Sequence, residues 1–114
     1  MKGLGQKGES LACLWLRLHG YVILSRNYRS RFGEIDIIAK KCGVISFIEV
    51  KARGQNALST PASAVDAYKQ QKIIKTANQY LTRCDNPDGD YSFDVIEIEK
   101  SGLHYKIRLI KNAF

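Results

Sequence analysis

The feature that most constrains this chain is a pair of apolar runs that mirror each other across a tight turn. Glu34–Lys40 and Val44–Arg53 flank Cys42-Gly43, and their Ile- and Val-rich pattern is that of β-strands. Each run carries an acid where a covered sheet should be apolar: Asp36 in Glu34-Ile35-Asp36-Ile37-Ile38, and Glu49 in Phe47-Ile48-Glu49-Val50-Lys51. Strand residues alternate faces, so Phe47, Glu49 and Lys51 share one face while Ile48, Val50 and Ala52 share the other. In a hairpin turning on Cys42-Gly43, cross-strand partners carry numbers that add up to about 85, as Asp36 and Glu49 do. The two carboxylates are therefore expected near each other across the pair.

Chemistry follows from that proximity. An unpaired carboxylate taken out of water costs several kcal/mol, so something must compensate it. For Asp36 alone, Arg53, a neighbouring lysine, a set of backbone donors or a cation would each serve. Two adjacent carboxylates repel, and one protonates unless a cation lies between them. Magnesium (or manganese) suits such a pair: it takes oxygen ligands, often one or two carboxylates plus a phosphate oxygen. It neutralises phosphate charge and acidifies water, and a lysine at position 51 adds a fixed positive charge beside the reacting phosphate. Asp36 with Glu49-x-Lys51 is thus a complete set for phosphodiester hydrolysis; the plainer reading of Glu49 and Lys51 is a surface pair on a one-sided sheet. Glu9 is a third carboxylate, on an apolar flank of its helix between Cys13 and Leu16. Helix-dipole placement would explain a glutamate in a first turn, and a metal or water contact would explain its facing. Glu34 shares a strand face with Asp36 and could support the site from one pleat away. Asp94, within Phe93-Asp94-Val95, is expected to bond a neighbouring strand or basic residue, with a supporting role in the site as the other reading.

The rest of the chain fits a single α/β domain of 114 residues. A first helix is predicted over about Gln6–His19, closed by Gly20 and apolar nearly all round, hence packed on more than one face. Tyr21–Tyr28 is a strand leading into the basic turn Arg29–Gly33, and the first three strands form an antiparallel meander. A second helix is predicted from near Pro61 to about Thr82, with Ser63-x-x-Asp66 as a capping box and Ile73, Ile74, Ala77, Tyr80 and Leu81 as its buried stripe. Asn86-Pro87-Asp88-Gly89 is a turn, followed by strands Tyr91–Glu99 and Leu103–Ile110. The order is α-β-β-β-α-β-β, a mixed layer fold. Cys13, Cys42 and Cys84 are odd in number and widely spaced, which speaks against a disulfide framework or a zinc knuckle. The apolar run Leu11–Leu16 is too short to span a bilayer and is read as a folded helix, so no membrane association and a cytoplasmic location are expected.

Charge points to a polyanionic partner. Lys plus Arg number 18 against 11 for Asp plus Glu, a net charge of +7. Arg26, Arg29 and Arg31 lie on or near the first hairpin turn with Tyr28 among them. Lys69, Lys72, Lys75 and Arg83 spread along the second helix. With Arg53 on the third strand, Arg26, Arg29, Arg31, Lys69 and Lys72 are the candidates for phosphate-backbone contacts to nucleic acid.

Taken together, Gly8-Glu9-x-x-Ala12, Asn27-Tyr28-Arg29, Gly33-Glu34-Ile35-Asp36, Phe47–Arg53, Lys69-Gln70-x-Lys72-Ile73, Ala77-x-x-Tyr80-Leu81 and Phe93-Asp94-Val95 resemble the YraN-like bacterial proteins. The resemblance runs in order along nearly the whole chain. That family is in turn distantly similar to the archaeal Holliday junction resolvases, within the restriction-endonuclease-like PD-(D/E)XK nucleases. The resemblance puts Asp36 at the motif's Asp, Glu49 and Lys51 at its (D/E)-x-K, and Glu9 at the helix glutamate of the resolvases. It implies a central mixed sheet flanked by helices, and a homodimer that cuts two strands. Ile35 stands where the motif's name has Pro, and Ser92 where the family often has Arg. The expected function is a metal-dependent endonuclease on branched or otherwise structured DNA, with Glu9, Asp36 and Glu49 holding the metal. Two alternatives are a nucleic-acid-binding module with weak or no catalysis, and an interaction protein that recruits a DNA-processing partner.

Overall fold

The computed structural model describes residues 3–53, 66–84 and 89–114, with side chains described from residue 7 onward and Arg53 by its backbone alone. Helix α1 (Gly3–Leu18) is followed by strands β1 (Val22–Arg29), β2 (Glu34–Lys41) and β3 (Val44–Arg53). Helix α2 (Ala67–Arg83) and strands β4 (Asp90–Ser101) and β5 (His104–Ile110) complete the chain. The order is the α-β-β-β-α-β-β read from the sequence, consistent with a restriction-endonuclease-like fold. All five strands form one mixed sheet in the order β1-β2-β3-β4-β5. Its β3–β4 pair is parallel and the others antiparallel. A parallel pair needs a crossover, and α2 lies within it.

The two helices cover opposite faces. Ala12, Cys13 and Leu16 of α1 pack with Ile37, Ala39, Ile48, Ile96 and Ile98. Ile73, Ala77 and Leu81 of α2 pack with Ile35, Ile38, Ile45, Phe47 and Val95, joined by Tyr28, Tyr80 and Phe114 from the margins. The expectation that α1 is buried on more than one face is corrected: Leu14 and Leu18 stand 53% and 75% exposed. A helix lying on one side of a sheet has only that sheet to bury against, so a single stripe is covered however apolar the rest.

Each helix start is set by local chemistry. Helix α1 begins earlier than expected, at Gly3, and Gly20 with φ 89 follows its end. A Cβ on Gly8 would come within 3.2 Å of the Ala52 Cβ, so glycine lets α1 settle close on β3 and brings Glu9 to the sheet. The start foreseen at Pro61, its Ser63 cap and the turn at 86–88 lie outside the described residues. Helix α2 opens at Ala67, with the Asp66 carboxylate accepting from the Lys69 backbone N–H at 2.8 Å. A Cβ on Gly33 would sit 3.2 Å from the Lys72 Cβ, so the β1–β2 turn closes tightly on this helix. None of the described helices is long and apolar enough to cross a membrane.

Candidate functional site

The site forms where the β2–β3 ladder stops. The pairs run from Lys41↔Val44 to Ile37↔Ile48, the register expected from the mirror around Cys42-Gly43. Asp36 and Glu49 occupy the next position, where the strands no longer pair as residue partners. Instead the Asp36 carboxylate accepts a hydrogen bond from the Val50 backbone N–H at 2.8 Å. The side chain thus takes over a donor that a regular ladder would have used, and it reaches toward β3 rather than standing off one face.

A second interruption coincides with the first. In β1, Arg26 pairs with Ile37 and Tyr28 with Ile35, leaving Asn27 opposite Asp36. Asn27 has φ 53, in the left-handed region, inside a strand. The alternation of faces resets here: Ile37 belongs to the α1 side, while Ile35 and Tyr28 both belong to the α2 side. Asn27 and Asp36 are therefore released together from the regular sheet pattern. The Asn27 amide donates to Glu9 Oε1 at 3.0 Å, and Arg26 lies 3.8 Å from the same oxygen.

Charge around Asp36 is short of cations. Burial pushes its carboxyl up, the Glu49 charge pushes the same way, and Glu9 adds a smaller push; the Val50 hydrogen bond and Lys69 only partly oppose them. The result is a pKa of about 7. Glu49 is buried and faces α2, where Lys69 Nζ donates to its Oε2 and Lys51 Nζ lies 3.8 Å from the same atom. Burial works against the charge on Lys69, yet Glu49, Asp36 and Asp66 together outweigh it and its pKa rises. The acids open into a cleft of ≈ 420 Å³ lined also by Gly33, Glu34, Tyr68 and Lys72.

Asp36, Glu49 and Lys51 thus converge as the sequence reading expected. Glu9 comes near and is half-buried; because α1 starts at Gly3 it lies beyond the first turn, so the helix dipole does not account for it. In this structure its carboxylate accepts from the Asn27 amide and lies 3.8 Å from Arg26, and its charge adds to the push on the Asp36 carboxyl. Among the described residues no three His, Cys, Asp or Glu side chains are gathered closely enough to form a metal shell. Asp36 and Glu49 fit a hard divalent cation as a pair, because the half-buried Asp36 and the buried Glu49 concentrate negative charge that Lys69 and Lys51 only partly balance.

Other expected site residues fall elsewhere. Glu34 lines the cleft but pairs with Arg29 at 3.2 Å, which engages both. Asp94 plays no supporting role there: it sits fully buried on the α1 side, held by Lys111 Nζ, Ser92 Oγ and the Asn112 N–H. Burial opposes the Lys111 charge, but its hydrogen bond to Asp94 and that group's charge prevail and its pKa rises. Lys111 supplies the positive group beside Asp94, and the cluster ties the C-terminal segment to the sheet. Tyr28 is packed in the α2-side core with its hydroxyl on Gln79, so it is no surface aromatic. Arg26 is bound to α1, whereas Arg31 and Lys72 remain at the surface beside aromatic rings. The Arg53 side chain lies outside the described residues. Sequence reasoning missed Asn27 as a site residue and gave Lys69 a phosphate-contact role without its pairing with Glu49. The first had a signal, since Asn is enriched at positive φ.

Comparison with known proteins agrees with the residues that carry the resemblance. Residues 8–98 match the family described as "Uncharacterised protein family UPF0102". A UPF0102 protein of Persephonella marina is 44% identical over 110 residues, covering 96% of this chain and 91% of that protein. Another from Alkaliphilus oremlandii is 45% identical over 115 residues, covering 99% and 98%. One from Geobacter metallireducens is 46% identical over 113 residues, covering 99% and 93%. The chain therefore belongs to UPF0102, the family of the YraN-like proteins.

Proposed function

We propose that this chain is a magnesium- or manganese-dependent endonuclease that hydrolyses phosphodiester bonds in branched or otherwise structured DNA. The observation that carries the reading is Asp36: a largely buried carboxyl, released from the sheet pattern and raised to about 7 by its burial and by the Glu49 charge beside it. The divalent ion supplies neutralisation of phosphate charge and an acidified water. Asp36 and Glu49 offer the oxygens that hold it. Lys51 keeps a fixed positive charge at the edge of the site, where it stabilises charge gathering on the phosphate. Lys69 shares Glu49 and moves its charge to whichever anion stands nearer. Glu9, aimed by Asn27, orients water on the α1 side.

Linear, flap and four-way DNA incubated with Mg²⁺ or Mn²⁺ test this directly. Lys51→Ala and Asp36→Asn should each lower cleavage by on the order of 100-fold or more. Equal cleavage by wild type and Lys51→Ala would remove Lys51 from the mechanism. A binding module without catalysis is favoured by one observation, the Lys69 ammonium already on Glu49. In that case wild type cuts none of the substrates, while Asp36→Asn keeps or gains DNA affinity.

A further inference from the structure

Two aromatic rings, Tyr68 in the first turn of α2 and Phe32 beside its later turns, do not help to build the core. Tyr68 is 73% exposed at the rim of the cleft that contains Asp36 and Glu49. Lys72 Nζ lies 4.4 Å from its ring centroid. Phe32, at the tip of the β1–β2 turn, has the Arg31 guanidinium 5.0 Å and Lys75 Nζ 5.8 Å from its ring centroid. Phe32 and Lys75 also line a groove of ≈ 340 Å³ with Asn78, Gln79 and Thr82. A tyrosine and a lysine four apart on a helix can be no more than a local stabilising pair. That account does not reach Phe32, whose cation partners come from two different elements.

We propose that this face of α2, from Tyr68 to Phe32, is a subsite for an unpaired nucleic-acid strand, with bases stacked on the two rings and phosphates beside Arg31, Lys72 and Lys75. The occupant follows from the alternation of ring and cation. Phosphates alone would call for cations alone, and a duplex keeps its base faces stacked on one another, with none to offer a protein ring. A single strand offers both a π-face and a charge at every nucleotide. The spacing is suitable: Tyr68 and Lys75 are two helical turns apart, roughly 10 Å at 1.5 Å per residue. At about 3.4 Å per stacked step, that spans about three nucleotides. Asn78, exposed in the groove beyond Phe32, offers an amide to a base edge. The net charge of +7 supplies the general attraction. This subsite rests on the phosphodiesterase reading only in placing the strand's next phosphate in the cleft. Within that reading, the substrate is DNA with a single-stranded arm at the cut.

The test separates binding from cutting by omitting divalent ions. A mixed-sequence single-stranded 20-mer and the matching duplex are titrated by fluorescence polarisation at near-physiological salt, in EDTA. Wild type should bind the single strand at least tenfold more tightly. Tyr68→Ala and Phe32→Ala should each lose about five- to tenfold on the single strand and less than twofold on the duplex. Tyr68→Phe should keep wild-type affinity. A 2-aminopurine placed along the strand should be quenched on binding wild type, a readout that needs no variant to fold. No preference over duplex, equal losses on both DNAs, or no quenching would each overturn the subsite. Preferential single-strand binding without cleavage in Mg²⁺ would leave the subsite standing and sink the nuclease reading. Cleavage unaffected by either ring substitution, with affinity also unchanged, would do the reverse.

Discussion

At Asp36 two demands conflict, and the conflict has a measurable direction. The carboxyl is largely taken out of water beside Glu49, so the folded protein holds its proton up to about pH 7, whereas the ordinary value is 3.8. Between those values the folded state keeps a proton that the unfolded chain has lost, so stability falls as pH rises through that window and is level above it. Asn at this position keeps an acceptor for the Val50 N–H and carries no charge. Asp36→Asn should therefore match wild type near pH 3.5 and exceed it at pH 8 in EDTA, by up to about 4 kcal/mol. Urea unfolding at the two pH values measures the difference. Added Mg²⁺ should raise wild-type stability at pH 8 and raise the variant's far less, because only the folded wild type offers both carboxylates. A variant no more stable than wild type at pH 8 would mean that Asp36 already has its counter-charge.

At the scale of elements, the hairpin was legible and the interruption beside it was not. The two-residue turn has φ 52 at Cys42 and φ 81 at Gly43, the left-handed pair that suits strand twist, and it fixes the β2–β3 register down to Ile37, one residue short of Asp36. That is why two acids in separate runs could be matched by number alone. The alternation rule also placed Glu49 and Lys51 together correctly. It failed at Asn27 and Asp36, because it presumes a regular strand and both strands reset their phase there. Asp94 needed the β4 register before its side of the sheet was defined, and Lys69 reaches Glu49 from a helix 20 residues away in sequence. Asn27 can be tested as two functions in one residue. Asn27→Gly keeps the left-handed backbone and loses the amide on Glu9; Asn27→Val loses both. The glycine variant should unfold within about 0.5 kcal/mol of wild type, and the valine variant should lose about 1–2 kcal/mol. Both should bind Mn²⁺ more weakly than wild type, read from the free-ion EPR signal. If only the valine variant is impaired in Mn²⁺ binding, the backbone matters and the amide does not.

The whole molecule raises a question that neither the residue nor the element answers: how one small domain would cut a branched DNA. The described residues hold one pair of acids of this kind, and one such site breaks one strand at a time. Two cuts at a junction call for two copies, most simply related by a two-fold axis. The homodimer implied by the resemblance therefore belongs with the nuclease reading. The surface offers a place for it. Leu14 and Leu18 lie one turn apart on α1, both exposed, and β1 is an edge strand of the sheet. An exposed apolar strip of this sort is what a second copy of the chain would cover. Sedimentation equilibrium should give twice the 12.9 kDa mass of the chain at micromolar concentration. Leu14→Lys with Leu18→Glu should return it to the monomer with its circular dichroism intact, since neither side chain contributes to the core. That monomer should still nick a flap yet lose paired cuts on a four-way junction. A wild type that sediments as a monomer would remove the dimer and restrict the nuclease reading to single-strand nicking.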